Sequence, residues 1–99
     1  MKVKKSQEIE LEANTGFTIP LNSNLKSGDT LAREVVLAVD GEGTVTITDS
    51  DSNTVKVING TTFDVENYSG GKAMIMADAL DEIVITSTTA ATLTYSVIY

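Results

Sequence analysis

The segment Asp49-Ser50-Asp51-Ser52-Asn53 carries oxygen-bearing side chains at successive positions and is the first candidate for chemistry. Hard cations such as Ca²⁺ take several oxygen ligands that converge from a turn. The spacing matches the opening of an EF-hand loop, but Thr54 stands where that loop needs glycine and Gly60 where it needs glutamate. An EF-hand is therefore excluded. Two interpretations remain: a looser calcium site through Asp49, Asp51 and Asn53, or an ordinary turn, because these residue types favour turns.

Catalytic groups are sparse in the sequence. Asp78, Asp81 and Glu82 form the next acidic group, and a glycosidase uses a pair of carboxylates. Nothing in the sequence fixes such a pair, and solvated turn acids are the simpler interpretation. A Ser or Thr nucleophile needs an activating base, and the chain has no His and no Cys. We therefore expect a protein that is not an enzyme and that needs no cofactor.

Composition restricts the partners. The chain has 99 residues, which suits one domain over residues 1–99, and its net charge is −7. Nucleic-acid binding requires a basic footprint, so we expect none. The one basic cluster is Lys2, Lys4 and Lys5, which is either a solvated end or a contact for an acidic partner. Polar residues follow it where a signal peptide would be apolar, and no run is long enough to span a bilayer. These features predict a soluble protein that is cytoplasmic at synthesis.

The elements that would position any functional site are short runs in which apolar and polar residues alternate. In Thr44–Thr48, Val45 and Ile47 share one face and the threonines share the other, which is the pattern of a half-buried strand. Pro20 lacks an N–H, so its strand should lie at a sheet edge. Asn59-Gly60 predicts a tight hairpin turn. The other predicted strands are Glu8–Ala13, Phe17–Leu21, Thr54–Ile58, Thr61–Glu66, Glu82–Thr86 and Ala91–Tyr99.

Two segments are ambiguous between strand and helix. Thr30–Val39 has apolar residues every four positions, but its valines and its alternation favour a strand. That strand should form a hairpin with Thr44–Thr48 through the turn Asp40–Gly43. Lys72–Leu80 contains good helix formers, and its alternative is a strand that ends at Ala77 before a turn at Asp78–Asp81.

The spacing of these strands predicts the fold class. Eight or nine short strands with turns every eight to twelve residues are typical of a sandwich or a jelly roll. We therefore expect an all-β fold, a single antiparallel β-sandwich or jelly-roll-like domain of about eight strands.

The predicted strand faces assign the larger apolar side chains. Phe63 and Val65 should point inward, and Met74 and Met76 should belong to the core. Tyr95 and Tyr99 lie in phase with core positions of the last strand, which favours packing, while Tyr68 should be exposed. Tyr68 and Tyr99 are nevertheless candidates, with the N-terminal lysines, for contact with a partner.

Three Thr-rich segments carry a resemblance: Gly60–Val65, Ile83–Thr88 and Ala91–Val97. With their acidic turns and a strand that runs to the last residue, they resemble small tailed-phage virion proteins of the capsid decoration, cement or head-fibre type. The resemblance implies a structural subunit that acts through protein–protein contacts, as a homo-oligomer or bound to capsid or tail proteins. It also implies a location in the virion after synthesis in the host cytoplasm.

A carbohydrate-binding β-sandwich module is the alternative function. The lack of Trp counts against it, because Trp is the best stacking platform. A row of exposed aromatic side chains on one sheet would favour glycan binding, whereas a flat apolar patch would favour an assembly subunit.

Overall fold

The computed structural model describes residues 6–23, 30–65, 68 and 70–99, and in this part of the chain it contains nine strands and no helix. In chain order the strands are β1 (Gln7–Leu11), β2 (Phe17–Pro20), β3 (Glu34–Asp40), β4 (Val45–Thr48), β5 (Val57–Asn59), β6 (Thr62–Val65), β7 (Gly71–Met76), β8 (Glu82–Ser87) and β9 (Ala91–Ile98).

The strands form two antiparallel sheets. The six-stranded sheet has the order β1-β9-β3-β7-β5-β6, and the three-stranded sheet has the order β2-β8-β4. Strands β1 to β4 alternate between the sheets, as do β7, β8 and β9, and the first and last strands are neighbours. This winding is that of a jelly roll, so the predicted fold class is confirmed.

The predicted edge position of Pro20 is also confirmed, because β2 lies at one edge of the three-stranded sheet. Both ambiguous segments contain the strand that their alternation favours. β3 occupies the end of Thr30–Val39 and extends to Asp40, while β7 ends at Met76, directly before Ala77 and a turn at residues 78–79.

The predicted hairpin between β3 and β4 is wrong. β3 pairs with β7 and β9, whereas β4 pairs with β8 in the other sheet. The chain therefore crosses between the sheets after Asp40, next to the crossing that joins β8 to β9. Gly43 permits the close approach, because a Cβ atom there would come within 2.7 Å of the Thr89 amide nitrogen. Thr44 N donates to Thr88 Oγ1 at 2.8 Å and closes the contact.

The hairpin around Asn59-Gly60 is confirmed as the pair β5–β6, with Gly60 at φ 63°. The strand predicted over Thr54–Ile58 is split. Thr54 bridges Thr48, and Val55 N donates to Ile47 O at 2.9 Å, so this end lies beside β4. The chain then passes to the six-stranded sheet at Val57.

The core lies between the sheets and is formed by the inward residues of both. Alternation holds along β3, β4, β8 and β9, whose odd-numbered residues are buried from Val35 to Val39, from Val45 to Ile47, from Ile83 to Ser87 and from Ala91 to Val97. Tyr95 belongs to this core, as predicted, and its ring centroid lies 6.1 Å from that of Phe17. Tyr99 is half-buried against the core.

Four assignments of large side chains are wrong. Met76 is 55% exposed because Ala73, Ile75 and Ala77 take the inward positions around it, and Met74 is half-buried on the same outward side. Phe63 is 70% exposed on the edge strand β6. The β5–β6 pair contains a register shift, so strict alternation does not extend along β6, although Val65 packs against the core. Tyr68 was expected at the surface but is only 4% exposed.

Candidate interaction surface

The turn at residues 49–53 uses its first carboxylate to hold its own backbone. Asp49 Oδ1 accepts from the backbone N–H groups of Asp51 at 2.9 Å and Asn53 at 3.0 Å, and Ser52 adopts a positive φ of 64°. This is the geometry of an Asx turn. Among the described residues, no three His, Cys, Asp or Glu side chains gather closely enough to hold a metal ion. The ordinary-turn interpretation therefore accounts for Asp49 without a cation.

The acidic group Asp78, Asp81 and Glu82 lies where the chain passes from β7 to β8. Asp78 and Asp81 are exposed in the connection between β7 and β8, and Glu82 begins β8. The sequence also contains two Ser-x-x-Lys spacings, at residues 23–26 and 69–72. One member of each, Lys26 and Ser69, lies outside the described residues. The expectation that this protein is not an enzyme stays a prediction.

The remaining candidates are the N-terminal lysines and two tyrosines. Lys2, Lys4 and Lys5 lie outside the described residues. Tyr68 donates its hydroxyl proton to Gly71 O, and burial raises the pKa of its phenol. Burial likewise raises the pKa of Tyr95, whose hydroxyl donates to Gln7 Oε1 at 2.7 Å. Tyr68 therefore offers little surface to a partner, while the half-buried Tyr99 retains some.

The outer face of the six-stranded sheet carries a group of adjacent apolar side chains. Val36 on β3 lies opposite Met74 on β7, and Met74 lies opposite Ile58 on β5. In the next row, Met76 and Ile98 flank Glu34 from either side. We call Val36, Ile58, Met74, Met76 and Ile98 the outer apolar patch.

The side chains of the outer apolar patch are neighbours on the sheet and are partly exposed to solvent. Val36 is 40% and Met76 55% exposed, and the other three members are half-buried by their neighbours. Single apolar side chains on a surface are normal, whereas a contiguous group indicates a contact site. Methionine suits such a site because its unbranched thioether adapts to a partner surface.

The rest of the outer face is polar. On β9, next to the patch, Thr92, Thr94 and Ser96 face outward, and Thr92 Oγ1 donates to Glu10 of β1 at 3.1 Å. Glu8 and Glu10 are exposed on β1, at the edge of the sheet. Apart from Ile98, the outer side of β9 is therefore hydroxyl-bearing, and that of β1 is largely acidic.

Hydrogen bonds outside the sheet ladders hold one end of the outer apolar patch. Arg33 N donates to Ile98 O at 2.7 Å, and Ala77 N donates to Arg33 O at 2.8 Å. The Asn22 amide nitrogen donates to Ala77 O at 2.8 Å and Leu80 O at 2.9 Å, and its oxygen accepts from Ala32 N at 2.8 Å. The backbone beside Met76 and Ile98 is thereby fixed by residues distant in sequence.

Aromatic residues do not form a row on either sheet. The chain has two Phe and three Tyr, all at described positions. Phe63 is the exposed one, Tyr68 and Tyr95 are buried, and Phe17 and Tyr99 are half-buried. This set therefore contains no row of exposed aromatic side chains, whereas five apolar side chains form the outer apolar patch.

The comparisons with known proteins support the fold. No family model and no curated protein matches the chain. Among solved structures, the SPBc2 prophage-derived protein YomS is similar, with 13% sequence identity and a TM-score of 0.50. The similarity covers 100% of this chain and 99% of YomS, so the two share an all-β fold over their lengths. No helix in the described residues is long and apolar enough to cross a membrane.

Proposed function

We propose that this protein is a non-enzymatic assembly subunit of a virion, either a capsid decoration protein or a head or tail accessory protein. The observation that carries the proposal is the outer apolar patch. It spans neighbouring strands of the six-stranded sheet, and covering it with another protein would remove Val36 and Met76 from water. Burial of apolar surface is the main favourable term in protein association.

The polar surroundings of the patch fit the same role. Interfaces commonly combine an apolar centre with a polar rim that keeps the uncovered protein soluble. Glu34 lies between Met76 and Ile98, and Lys72 lies opposite Ala38 one row beyond Val36. Lys72 would supply part of the rim, and Glu34, which lies within the patch, would orient a partner.

The origin of the similar structure supports the virion setting. YomS is prophage-derived by its name, and the Thr-rich strands of this chain resemble small tailed-phage virion proteins. We accordingly propose a location in the virion after synthesis in the host cytoplasm. Carbohydrate binding is not proposed, since Phe63 stands alone as an exposed aromatic residue among the five.

The test is the protein content of phage particles released from cells that carry the gene. We expect mass spectrometry of purified particles to find this protein in fixed proportion to the major capsid or tail protein. The double variant Val36→Lys/Met76→Lys should remain folded by circular dichroism and be lost from the particles, because lysines in the patch would oppose its burial.

Thr18→Lys/Thr46→Lys is the matched control. Thr18 on β2 and Thr46 on β4 are exposed on the outer side of the three-stranded sheet, so this double variant adds the same charge away from the patch. It should stay in the particles. Absence of the unaltered protein from particles would overturn the virion role, and retention of the patch variant would place the contact elsewhere.

A further inference from the structure

Glu34 is a charged residue within the outer apolar patch. Its side chain is half-buried, and its cross-strand neighbours are Met76 on β7 and Ile98 on β9. A partner that covered the patch would also cover this carboxylate. Removing a charge from water is costly unless an opposite charge pairs with it. The patch therefore fits a partner that brings a cationic side chain to Glu34.

The chain carries a suitable cation on the same face. Lys72 on β7 is exposed and lies opposite Ala38 on β3. It is in phase with Met74 and Met76, so it projects from the outer side of the six-stranded sheet, as Glu34 does. In the described part of the chain neither Glu34 nor Lys72 forms an ion pair.

Glu34 and Lys72 occupy diagonal positions about the centre of the patch. Val36 and Met74 form the middle one of three outward-facing rows that β3 and β7 share. Glu34 lies in the row on one side of them, and Lys72 lies in the row on the other side. From the usual strand spacing and rise per residue, the Cα atoms of Glu34 and Lys72 are about 14 Å apart. The midpoint between them falls between Val36 and Met74.

This arrangement is complementary to itself when two copies meet face to face. A two-fold axis that lies between the two faces and passes over this midpoint exchanges the positions of Glu34 and Lys72. Each Glu34 then faces the partner's Lys72, and the apolar side chains of the middle row pack on those of the other copy. In a two-fold contact each pair of residues occurs twice. One surface therefore supplies an apolar centre and two ion pairs.

We propose that the outer apolar patch binds the same patch of a second copy of this chain, with Glu34 of each copy paired with Lys72 of the other. This inference rests on the proposed function as an assembly subunit, for which it names one partner. The contact involves fewer residues than the roughly 20–30 per side of a standard interface, so we expect a weak dimer.

The acidic strand β1 does not oppose this contact strongly. It is separated from β3 by β9, and its exposed Glu8 and Glu10 therefore lie away from the centre of the patch. Sheets are twisted, so two sheets that pack face to face approach each other most closely at the centre and diverge toward their corners.

Sedimentation equilibrium of the purified chain at high micromolar concentration tests for the dimer. We expect the unaltered protein and the Thr18→Lys/Thr46→Lys variant to dimerise. Val36→Lys/Met76→Lys should be monomeric and keep the circular dichroism spectrum of the unaltered protein. A monomeric unaltered protein, or a dimer of the same strength in the patch variant, would overturn the proposal.

Charge reversal tests the pairing of Glu34 with Lys72. Glu34→Lys and Lys72→Glu each convert both attractive contacts into repulsive ones, so either variant alone should weaken the dimer by about tenfold or more. An equimolar mixture of the two variants should dimerise again, because a dimer with one copy of each contains two pairs of opposite charge. A mixture that stays as monomeric as its components would contradict the pairing.

Glu12→Lys is the matched control for Glu34→Lys. Glu12 is exposed directly after β1, so its reversal changes the net charge by the same amount away from the patch. This variant should dimerise at least as well as the unaltered protein, and a loss equal to that of Glu34→Lys would contradict the role of Glu34. The virion test stays separate: a monomer that still enters particles refutes the contact between copies alone, whereas a dimer absent from particles refutes the proposed function alone.

Discussion

At the scale of single residues, Asn22 has the most consequential hydrogen bonds in the described structure. Its side chain satisfies two carbonyl groups, of Ala77 and Leu80, and one amide, of Ala32. These groups belong to the segments before β3 and after β7. An asparagine can do this because its amide both donates and accepts. This role could not be predicted from the sequence, because Asn22 occurs in a polar connection where asparagine is common.

Replacing Asn22 should therefore destabilise the protein strongly for a surface-loop residue. We expect Asn22→Ala to lower the free energy of unfolding by about 2–4 kcal/mol, because two carbonyls and one amide lose their partner. Urea unfolding followed by circular dichroism measures the change. Asn53→Ala is the control, since Asn53 is exposed and serves the turn through its backbone. A change for Asn22→Ala within about 0.5 kcal/mol of the control would contradict the assigned role.

At the scale of elements, strand β4 separates its two faces cleanly. Val45 and Ile47 are buried in the core, whereas Thr46 between them is exposed. The same chemical change at neighbouring positions should therefore have opposite outcomes, because the pleat of a strand turns successive side chains to opposite faces.

The substitution Ile47→Asp should unfold the protein at neutral pH. A carboxylate at this position would be buried without a partner, at a cost of several kcal/mol that is comparable to the stability of a small protein. Thr46→Asp should leave the far-ultraviolet circular dichroism spectrum and the unfolding midpoint close to those of the unaltered protein. A folded Ile47→Asp variant would mean that this face of β4 is not core.

The strand boundaries were predictable from the sequence where a strand has one solvent-exposed face and one buried face. β4, β8 and β9 alternate in this way, and their inward residues were predictable from the period alone. β3 was ambiguous with a helix, and it begins at Glu34, four residues after the start of the predicted segment. β7 was harder, because Met74 and Met76 are apolar on its outer side while Ala73 and Ala77 are small on its inner side. Because β7 has apolar residues on both faces, the sequence pattern indicates a strand but does not show which face points into the core.

Strand pairing was less predictable than strand existence. The hairpin rule pairs β3 with β4 through the turn Asp40–Gly43. In the structure this turn crosses between the sheets, and every described strand pair except β5–β6 joins strands that are not consecutive. The outer apolar patch was missed for the same reason. Its members come from β3, β5, β7 and β9, and no spacing along the chain reveals that Val36, Ile58 and Met74 lie in one row.

At the scale of the whole molecule, the fold closes by joining its two ends. β9 lies between β1 and β3, so Gln7 pairs with Tyr95 and Val35 pairs with Val97. β5–β6 is the one pair among the described strands that joins consecutive strands. Most strand pairs therefore form only after segments distant in sequence have come together. Bringing these segments together costs loop-closure entropy, and the contacts that offset this cost form afterwards.

Folding should accordingly be slow for a chain of this length. We expect stopped-flow refolding to give a relaxation on the millisecond-to-second timescale typical of all-β proteins with non-local pairing.

The local β5–β6 hairpin provides an internal reference for this prediction. Gly60 has a φ of 63°, so Gly60→Ala introduces backbone strain and should lower the stability. We expect this variant to raise the unfolding rate more than it slows folding. Leu93→Ala, at the fully buried centre of β9, should instead slow folding, because closure of the sheet depends on that strand. Microsecond refolding, or a folding rate more sensitive to Gly60→Ala than to Leu93→Ala, would show that local structure and not closure by β9 limits the reaction.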